Sequence, residues 1–268
     1  MFEETNAIRA VACAAKLIDS YYLTGPEDID LEAIAMDQNL LILEEDIGGA
    51  EAHLVQNGKK GIITIRKNDS AVRKRFSIAH EMGHWFLHKD SRSFEFCSPS
   101  DMVEYERRKV AEYEANIFAS EFLLPRKFVY PRFREQEPNW DFLLEKANEF
   151  KTSLTATAIR YVDMTKEKCF LVCSENSKVK WWRKNSSTLF LQAGQALTNR
   201  THASMCFTGG LKRAEIKSVP ASAWFDDIDP KLCVEVKEQS IKLGSLPYVL
   251  TLLWVFENEK QDDDEEDY

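Results

Sequence analysis

The sequence lacks a hydrophobic segment long enough to cross a membrane. Its longest strongly apolar run, residues 248–256, is far shorter than the roughly 20 residues that a membrane-spanning helix needs. No basic segment precedes the apolar stretch at residues 7–17, and Arg9 and Lys16 interrupt it, so a secretory signal is not indicated. We therefore expect a cytoplasmic protein that has no membrane partner.

Glycine, proline and cysteine are sparse as well. Ten glycines and eight prolines exclude collagen-like and low-complexity architectures, and six scattered cysteines do not form the dense framework of a small secreted domain. We expect reduced thiols, with Cys169 and Cys173 packed in a core. Because 44% of the 268 residues are hydrophobic, the chain can bury one large core or two smaller ones.

The chain carries a formal net charge of −9. Six acidic side chains fall in residues 262–267, so the rest of the chain carries only about −3, which gives no general case for nucleic-acid binding. Such an acidic block is usually solvated, and residues 258–268 are predicted to be a disordered acidic tail.

Periodicity and turn signals predict an α+β first half. Helical spacing is found over residues 7–22, 31–38, 71–88 and 102–123. Extended segments are found at residues 40–44, 51–55 and 61–65. The turn signal Asn57-Gly58 joins the last two of these, which predicts a small antiparallel sheet. Asp69 or Ser70 can cap the third helix, and Pro125 ends the fourth.

The second half changes character. Residues 142–162 predict two short helices joined by a tight turn, an arrangement that resembles a helix-turn-helix. Strand-like runs follow at residues 169–173, 179–182, 214–219, 232–236 and 248–256. They predict a smaller α/β or β-rich domain after the helical segment.

The third predicted helix contains the pattern His-Glu-x-x-His. His80 and His84 are four residues apart, so one face of the helix can present both imidazoles to one zinc ion (Zn²⁺). Glu81 is rotated by about 100° from His80, which places it beside the ion, where it can take a proton from bound water. Gly83 lets another backbone approach closely. A buried helix has no packing reason to carry these polar groups, so the pattern indicates a metal site.

His88 is not expected to be a third ligand. It lies about 12 Å along the helix from His80, too far for one ion to reach both. It is instead predicted to end the helix or to support the site from outside.

A catalytic zinc needs a third protein ligand and an open position for water. The fourth helix offers Glu112, which borders a predicted buried stripe. That stripe consists of Ala111, Ala115, Phe118, Ala119 and Phe122. Spacing favours Glu112 and leaves Glu104 open. Glu114 and Glu121 are expected to face solvent, and Asn116 to form a hydrogen bond near the site.

Two motifs now point to a family. The string FSIAHEMGHWFLH at residues 76–88, together with E-x-x-A-N-x-F-A at residues 112–119 and LLP at residues 123–125, resembles the ImmA/IrrE family of metallopeptidases. The resemblance covers roughly residues 30–165. It implies a helical, gluzincin-like zincin core.

The same resemblance implies a ligand set and a substrate class. Zinc would be held by His80, His84 and Glu112, with Glu81 as general base and acid. The resemblance thus favours Glu112 over Glu104 as the third ligand. It further implies that the substrate is a regulatory protein, such as a helix-turn-helix transcriptional repressor or an antitoxin.

The predicted protein is thus a zinc-dependent endopeptidase with four parts. They are a metallopeptidase-like domain at residues 1–135, a helix-turn-helix-like segment at 136–165, a C-terminal α/β domain at 166–257 and the acidic tail at 258–268.

Two alternatives stay open. One is a non-catalytic, zinc-containing regulator whose residues 142–162 bind DNA. Its basic content is poor, because Lys146, Lys151 and Arg160 are offset by nearby acids. The other is a latent protease whose C-terminal domain senses a ligand or partner, although residues 168–256 contain no phosphate loop or nucleotide fingerprint.

Overall fold

The computed structural model describes residues 2–48, 52–88, 102–209, 212–226 and 233–257. The predicted acidic tail at residues 258–268 lies outside the described residues, as does Cys97. The chain forms two compact units. One contains Met1–Val129 and Lys146–Ala156, and the other contains Tyr130–Glu145 and Thr157–Tyr268. The domain boundaries placed from the sequence at residues 135 and 165 stay predictions.

The first part of the chain forms helices on either side of three consecutive strands. They are α1 (Phe2–Ser20), α2 (Leu31–Asp37), β1 (Leu40–Glu45), β2 (Ala52–Asn57), β3 (Lys60–Arg66), α3 (Ala71–Leu87) and α4 (Met102–Leu123). A short 3-10 helix at Pro26–Asp28 precedes α2. The Asp30 carboxylate accepts a hydrogen bond from the Ala33 amide and caps α2, and the Ser70 hydroxyl accepts one from the Arg73 amide and caps α3. These caps fix where both helices begin.

The three-stranded sheet is mixed. Its order is β1-β3-β2, with β2 antiparallel to β3 and β1 parallel to β3. The prediction of an antiparallel sheet is therefore wrong for one strand pair. The turn at Gly58, where φ is +61°, fixes only the β2–β3 hairpin. The partner of β1 is set by long-range packing, which no local turn signal encodes.

One face of this sheet packs against α3. A Cβ placed on Gly61 would lie 2.7 Å from the Leu40 side chain and 3.1 Å from the Trp85 ring. Ile63 and Ile65 on the same face are buried. The sheet therefore supports α3 from one side.

α4 supports α3 from another side. A Cβ on Gly83 would lie 3.0 Å from the Cα atom of Ala115 and 3.1 Å from its carbonyl oxygen, so the two backbones nearly touch. The predicted stripe of α4 is buried, which confirms that prediction. Glu121 was expected in solvent, and this is wrong, because its carboxylate is only 4% exposed and accepts a 2.8 Å hydrogen bond from the Arg126 amide.

The described residues after α4 form four further α-helices and a second sheet. The elements are α5 (Arg126–Phe133), α6 (Trp140–Glu149), α7 (Leu154–Met164), β4 (Cys169–Glu175), β5 (Lys178–Lys184), α8 (His202–Thr208), β6 (Lys217–Pro220), β7 (Cys233–Lys242) and β8 (Tyr248–Glu257), with a 3-10 helix at Ala221–Ala223. The strands pair antiparallel in the order β5-β4-β8-β7-β6.

A polar network fastens this second sheet to its surroundings. The buried Glu238 carboxylate accepts hydrogen bonds from the Ala203 amide at 2.8 Å, the Trp224 indole at 3.0 Å and the Ser240 hydroxyl at 3.1 Å. These three donors offset the cost of burying its charge. Cys169 lies in the same unit as a free thiol, and burial raises its pKa to about 12. None of the helices in the described ranges has the length and apolar character needed to cross a bilayer.

Replacing Gly83 with alanine should lower the free energy of unfolding by about 1–3 kcal/mol, because the added methyl group has no room against the α4 backbone. Helix propensity alone predicts the opposite sign, a gain of about 1 kcal/mol. Urea unfolding of the metal-free protein, followed by circular dichroism, separates the two. Gly48→Ala is the control, since a Cβ there meets nothing within 4 Å. A more stable Gly83→Ala variant would show that the helices do not pack this closely.

Candidate metal centre

α3 and α4 together position the candidate site. His80 and His84 lie one turn apart on α3, and Glu112 on α4 faces them. One possible ligand atom from each of the three side chains lies within 4.8 Å of the others. The structure thus brings together the three residues that the sequence predicted as metal ligands. Glu104, the alternative weighed from spacing, lies in α4, but its side chain is outside the described part of the structure.

The three donor groups are spaced as a metal ion requires. The Nε2 atoms of His80 and His84 are 3.1 Å apart. Glu112 Oε2 lies 3.2 Å from the first of these nitrogens, and Glu112 Oε1 lies 3.4 Å from the second. Two ligands at tetrahedral angles, each about 2.0–2.1 Å from an ion, are about 3.3 Å apart. The separations of the three donor groups are therefore suited to one metal ion.

A hydrogen bond orients the first imidazole. His80 Nδ1 lies 3.0 Å from Oδ1 of Asn116, which is one turn after Glu112. Because an amide oxygen only accepts, Nδ1 donates to Asn116, and a metal ion would bind at Nε2, the nitrogen that faces Glu112. The prediction that Asn116 forms a hydrogen bond near the site is confirmed.

The charges of these groups are coupled. Hydrogen bonds from His80 and His84 hold the pKa of Glu112 well below its usual range, although burial opposes them. Burial lowers the pKa of His80, but the hydrogen bond to Glu112 and the charges of Glu81 and Glu112 outweigh burial and raise it. Glu112 is consequently ionised at neutral pH, which is the form that binds a metal.

Glu81 lies beside the three donors and is not one of them. Its side chain is on α3, and the residue is only 7% exposed. Burial raises its pKa, against the opposing charges of His84 and His80. Its carboxylate is therefore a stronger base than a solvated glutamate and is suited to accept a proton.

A second buried carboxylate lies behind the site. Glu114 was expected in solvent, and this is wrong, because it is only 2% exposed. Its Oε1 atom lies 3.3 Å from a guanidinium nitrogen of Arg9 on α1, and the other terminal nitrogen of Arg9 donates to the Leu87 carbonyl. α4 packs against both α1 and α3, so its two flanks are covered. The sequence pattern was interpreted with a single partner helix and therefore missed Arg9 and Glu114.

His88 lies next to Glu114, outside the group of three donors. It is the C-cap of α3, and its amide donates to the His84 carbonyl at 2.9 Å, which confirms the predicted helix end. Its Nε2 atom lies 3.6 Å from Glu114 Oε2. Burial, together with the nearby charges of His84 and Arg9, lowers its pKa to about 4. His88 is therefore a neutral neighbour of the ligands at physiological pH.

Comparison with known proteins agrees with this geometry. Residues 35–161 match the model of the IrrE N-terminal-like domain. Metallopeptidase ImmA of Bacillus subtilis (strain 168) is 33% identical over 92 residues. Residues 35–161 are thus similar to the ImmA/IrrE family over just under half of the chain. The two motifs at residues 76–88 and 112–119 had indicated that family, and the indication is confirmed. The aligned region is 34% of this chain and 52% of that relative, so the match spans about half the length of the relative.

A solved structure extends the likeness over nearly the whole chain. It is described as a Mycobacterium tuberculosis transcriptional regulator, and it aligns with a TM-score of 0.58 over 95% of this chain and 91% of that chain. The sequences are only 14% identical, so the likeness concerns the fold alone. His80, His84 and Glu112 all lie within residues 35–161, the range of the family match, whereas Arg9 lies outside it.

Replacing Asn116 with alanine should weaken the binding of added zinc by about 10–100-fold, because the His80 ring loses the acceptor that fixes its orientation. Competition with a coloured chelator measures this affinity. Asn148→Ala, at an exposed position of α6, is the matched control. Equal affinities in both variants would show that the hydrogen bond does not orient the ring.

Proposed function

We propose that the protein is a zinc-dependent endopeptidase that cleaves a regulatory protein, of the class of helix-turn-helix repressors or antitoxins. The convergence of His80, His84 and Glu112, with buried Glu81 beside them, is the observation that carries this proposal. In this proposal, residues 1–135 provide the metallopeptidase-like domain, and residues 136–165 and 166–257 form its helical segment and C-terminal domain. The reaction is proposed to take place in the cytoplasm.

The donor set supports zinc. Two imidazole nitrogens and one carboxylate oxygen are a common catalytic set for this ion, which also needs one open coordination position. Zinc, when bound, supplies a Lewis acid that lowers the pKa of a water molecule towards about 7 and polarises the scissile carbonyl.

Glu81 would move the protons. Its buried carboxylate accepts a proton from the attacking water and then delivers it to the leaving amine, so both transfers use one residue. Asn116 holds His80 in the required tautomer, and Glu112 keeps its negative charge at neutral pH. The chain's own residues thus provide the base, the orientation and the ligand charge.

A protein substrate is supported by the relative. That relative is named a metallopeptidase. The resemblance of the two motifs to the ImmA/IrrE family implies that the substrate is a regulatory protein. The alternative of a DNA-binding regulator has less support. The Lys146 ammonium lies 2.7 Å from the Glu149 carboxylate, so part of the positive charge in the helical segment is neutralised.

Elemental analysis of the purified protein should find about one zinc per chain, and His80→Ala and Glu112→Ala should each lose it, because each removes one of three protein ligands. The measurement is made at neutral pH without chelators. Glu137→Ala, an exposed position, is the control. If the wild-type chain neither carries nor takes up zinc, the proposed metallopeptidase function is excluded.

Glu81→Gln should retain zinc and lose proteolysis by about 10²–10⁴-fold, because the amide cannot accept the proton from water. Cleavage is followed by gel electrophoresis with casein as a general protein probe, and then with repressors co-expressed with the chain. Glu137→Gln should cut as the wild type does. Undiminished cleavage by Glu81→Gln would remove this residue from the mechanism. DNA binding that falls steeply with salt, without cleavage by the wild type, would favour the regulator.

A further inference from the structure

An apolar row crosses the face of the three-stranded sheet that points away from α3. Leu41 pairs with Ile62, and Ile62 pairs with Val55, so the three side chains lie side by side on one face. They are 56%, 38% and 54% exposed, respectively. Met36, at the end of α2, adds a fourth apolar side chain that is 79% exposed. These residues line an open groove with a volume of about 450 Å³.

The outer face of the sheet is therefore apolar along this row, although the polar residues Lys60 and Thr64 of β3 share that face. The sheet's other face contains the buried Gly61, Ile63 and Ile65 and is covered by α3. A sheet with one solvated face normally alternates apolar with polar residues, and a sheet that is apolar on both faces is normally covered on both. A contiguous exposed apolar patch of this kind marks a place where another molecule binds.

The polar groups of the groove indicate the charge of that molecule. Lys60 is the charged residue among the described residues that line it, and Asn39 and Asn57 are its other polar lining residues. Lys59 is next to Lys60 in the exposed hairpin turn. Within the described part of the chain, neither lysine has a carboxylate partner, whereas Lys74 pairs with a glutamate at 2.8 Å. The groove therefore complements apolar side chains accompanied by negative charge.

We infer that this outer groove, defined by Met36, Leu41, Val55, Lys60 and Ile62, binds an amphipathic segment of the protein substrate. The bound segment presents apolar side chains to the row and a carboxylate to Lys60. This inference rests on the proposed function, since it supplies the recognition surface of the same peptidase.

A second copy of the chain fits the groove less well. A two-fold symmetric contact brings the same patch of both copies together, and it would place two sets of Lys59 and Lys60 at one interface. The described lining residues contain no carboxylate to offset those charges. An acidic amphipathic segment has no such conflict.

The position of the groove separates recognition from cleavage. The residues that line the groove do not include the three candidate metal donors, so a segment in the groove leaves those donors open to another part of the same substrate. Contacts of this kind stabilise the bound substrate and the transition state by the same free energy. They therefore change KM for a protein substrate and leave kcat unchanged.

The test uses the full chain with zinc and Glu81→Gln, so that binding is measured without cleavage. The probes are two synthetic fluorescent peptides that share one amphipathic leucine pattern, with glutamates in the first and lysines in the second. Fluorescence anisotropy should show that the acidic peptide binds about tenfold more tightly than the basic one. Val55→Ser and Leu41→Ser should each weaken its binding by about tenfold.

Charge reversal gives the sharpest result. Lys60→Glu in the same background should reverse the preference, so that the basic peptide binds more tightly. Ile8→Ser on α1, which also removes an exposed apolar side chain, and Lys178→Glu on β5 are matched controls and should change nothing. Zinc content and far-ultraviolet circular dichroism verify that each variant is folded.

Each other outcome is decisive. Equal binding of both peptides, or unchanged binding after Lys60→Glu and Val55→Ser, overturns the inference that the groove binds an acidic amphipathic segment. If sedimentation shows a dimer and Val55→Ser dissociates it, the groove binds a second copy of the chain, and this result also overturns the inference. If the peptides bind as expected while the wild type cleaves no protein, the groove stands and the proposed peptidase fails. If casein is cleaved with unchanged KM by the groove variants, the peptidase stands and the groove fails.

Discussion

The backbone contact between Gly83 and Ala115 determines whether the candidate site exists at all. α3 carries both histidines and α4 carries the carboxylate, so the distance between the two helices sets the separation of the three donors. A glycine inside a helix costs about 1 kcal/mol relative to alanine, and this cost is accepted where helices must approach closely. The local helical pattern presents the ligands, but this contact makes them converge.

α4 is the central support of the first unit because it is covered on two sides. Glu112 faces α3, and Glu114, two residues later, faces α1. A buried carboxylate is stable only when it is paired, and Arg9 provides that partner while also binding the last carbonyl of α3. Thus α1, which precedes the matched range of residues 35–161, helps to fix the end of the helix that holds the ligands.

Local signals in the sequence predicted the local features. The caps at Asp30 and Ser70, the stop at Pro125 and the two histidines all depend on residues within a few positions of each other, and each lies where the pattern placed it. Long-range features were not predictable in this way. The parallel pairing of β1 with β3 and the burial of Glu114 and Glu121 depend on which element covers a surface, and residue periodicity does not contain that information.

Hydrolysis by such a centre requires little of the substrate beyond a peptide bond that can reach it. In the proposed peptidase, two imidazoles, a carboxylate and a base would act on the scissile carbonyl and the water, and both of these are the same in every peptide. Selectivity for one protein must therefore come from surfaces that bind the substrate away from the reacting atoms. In this unit one face of the sheet supports α3, and the other presents the exposed apolar row of Leu41, Val55 and Ile62. In this proposal, the same three strands hold the helix with the candidate metal ligands in place and distinguish one protein substrate from another.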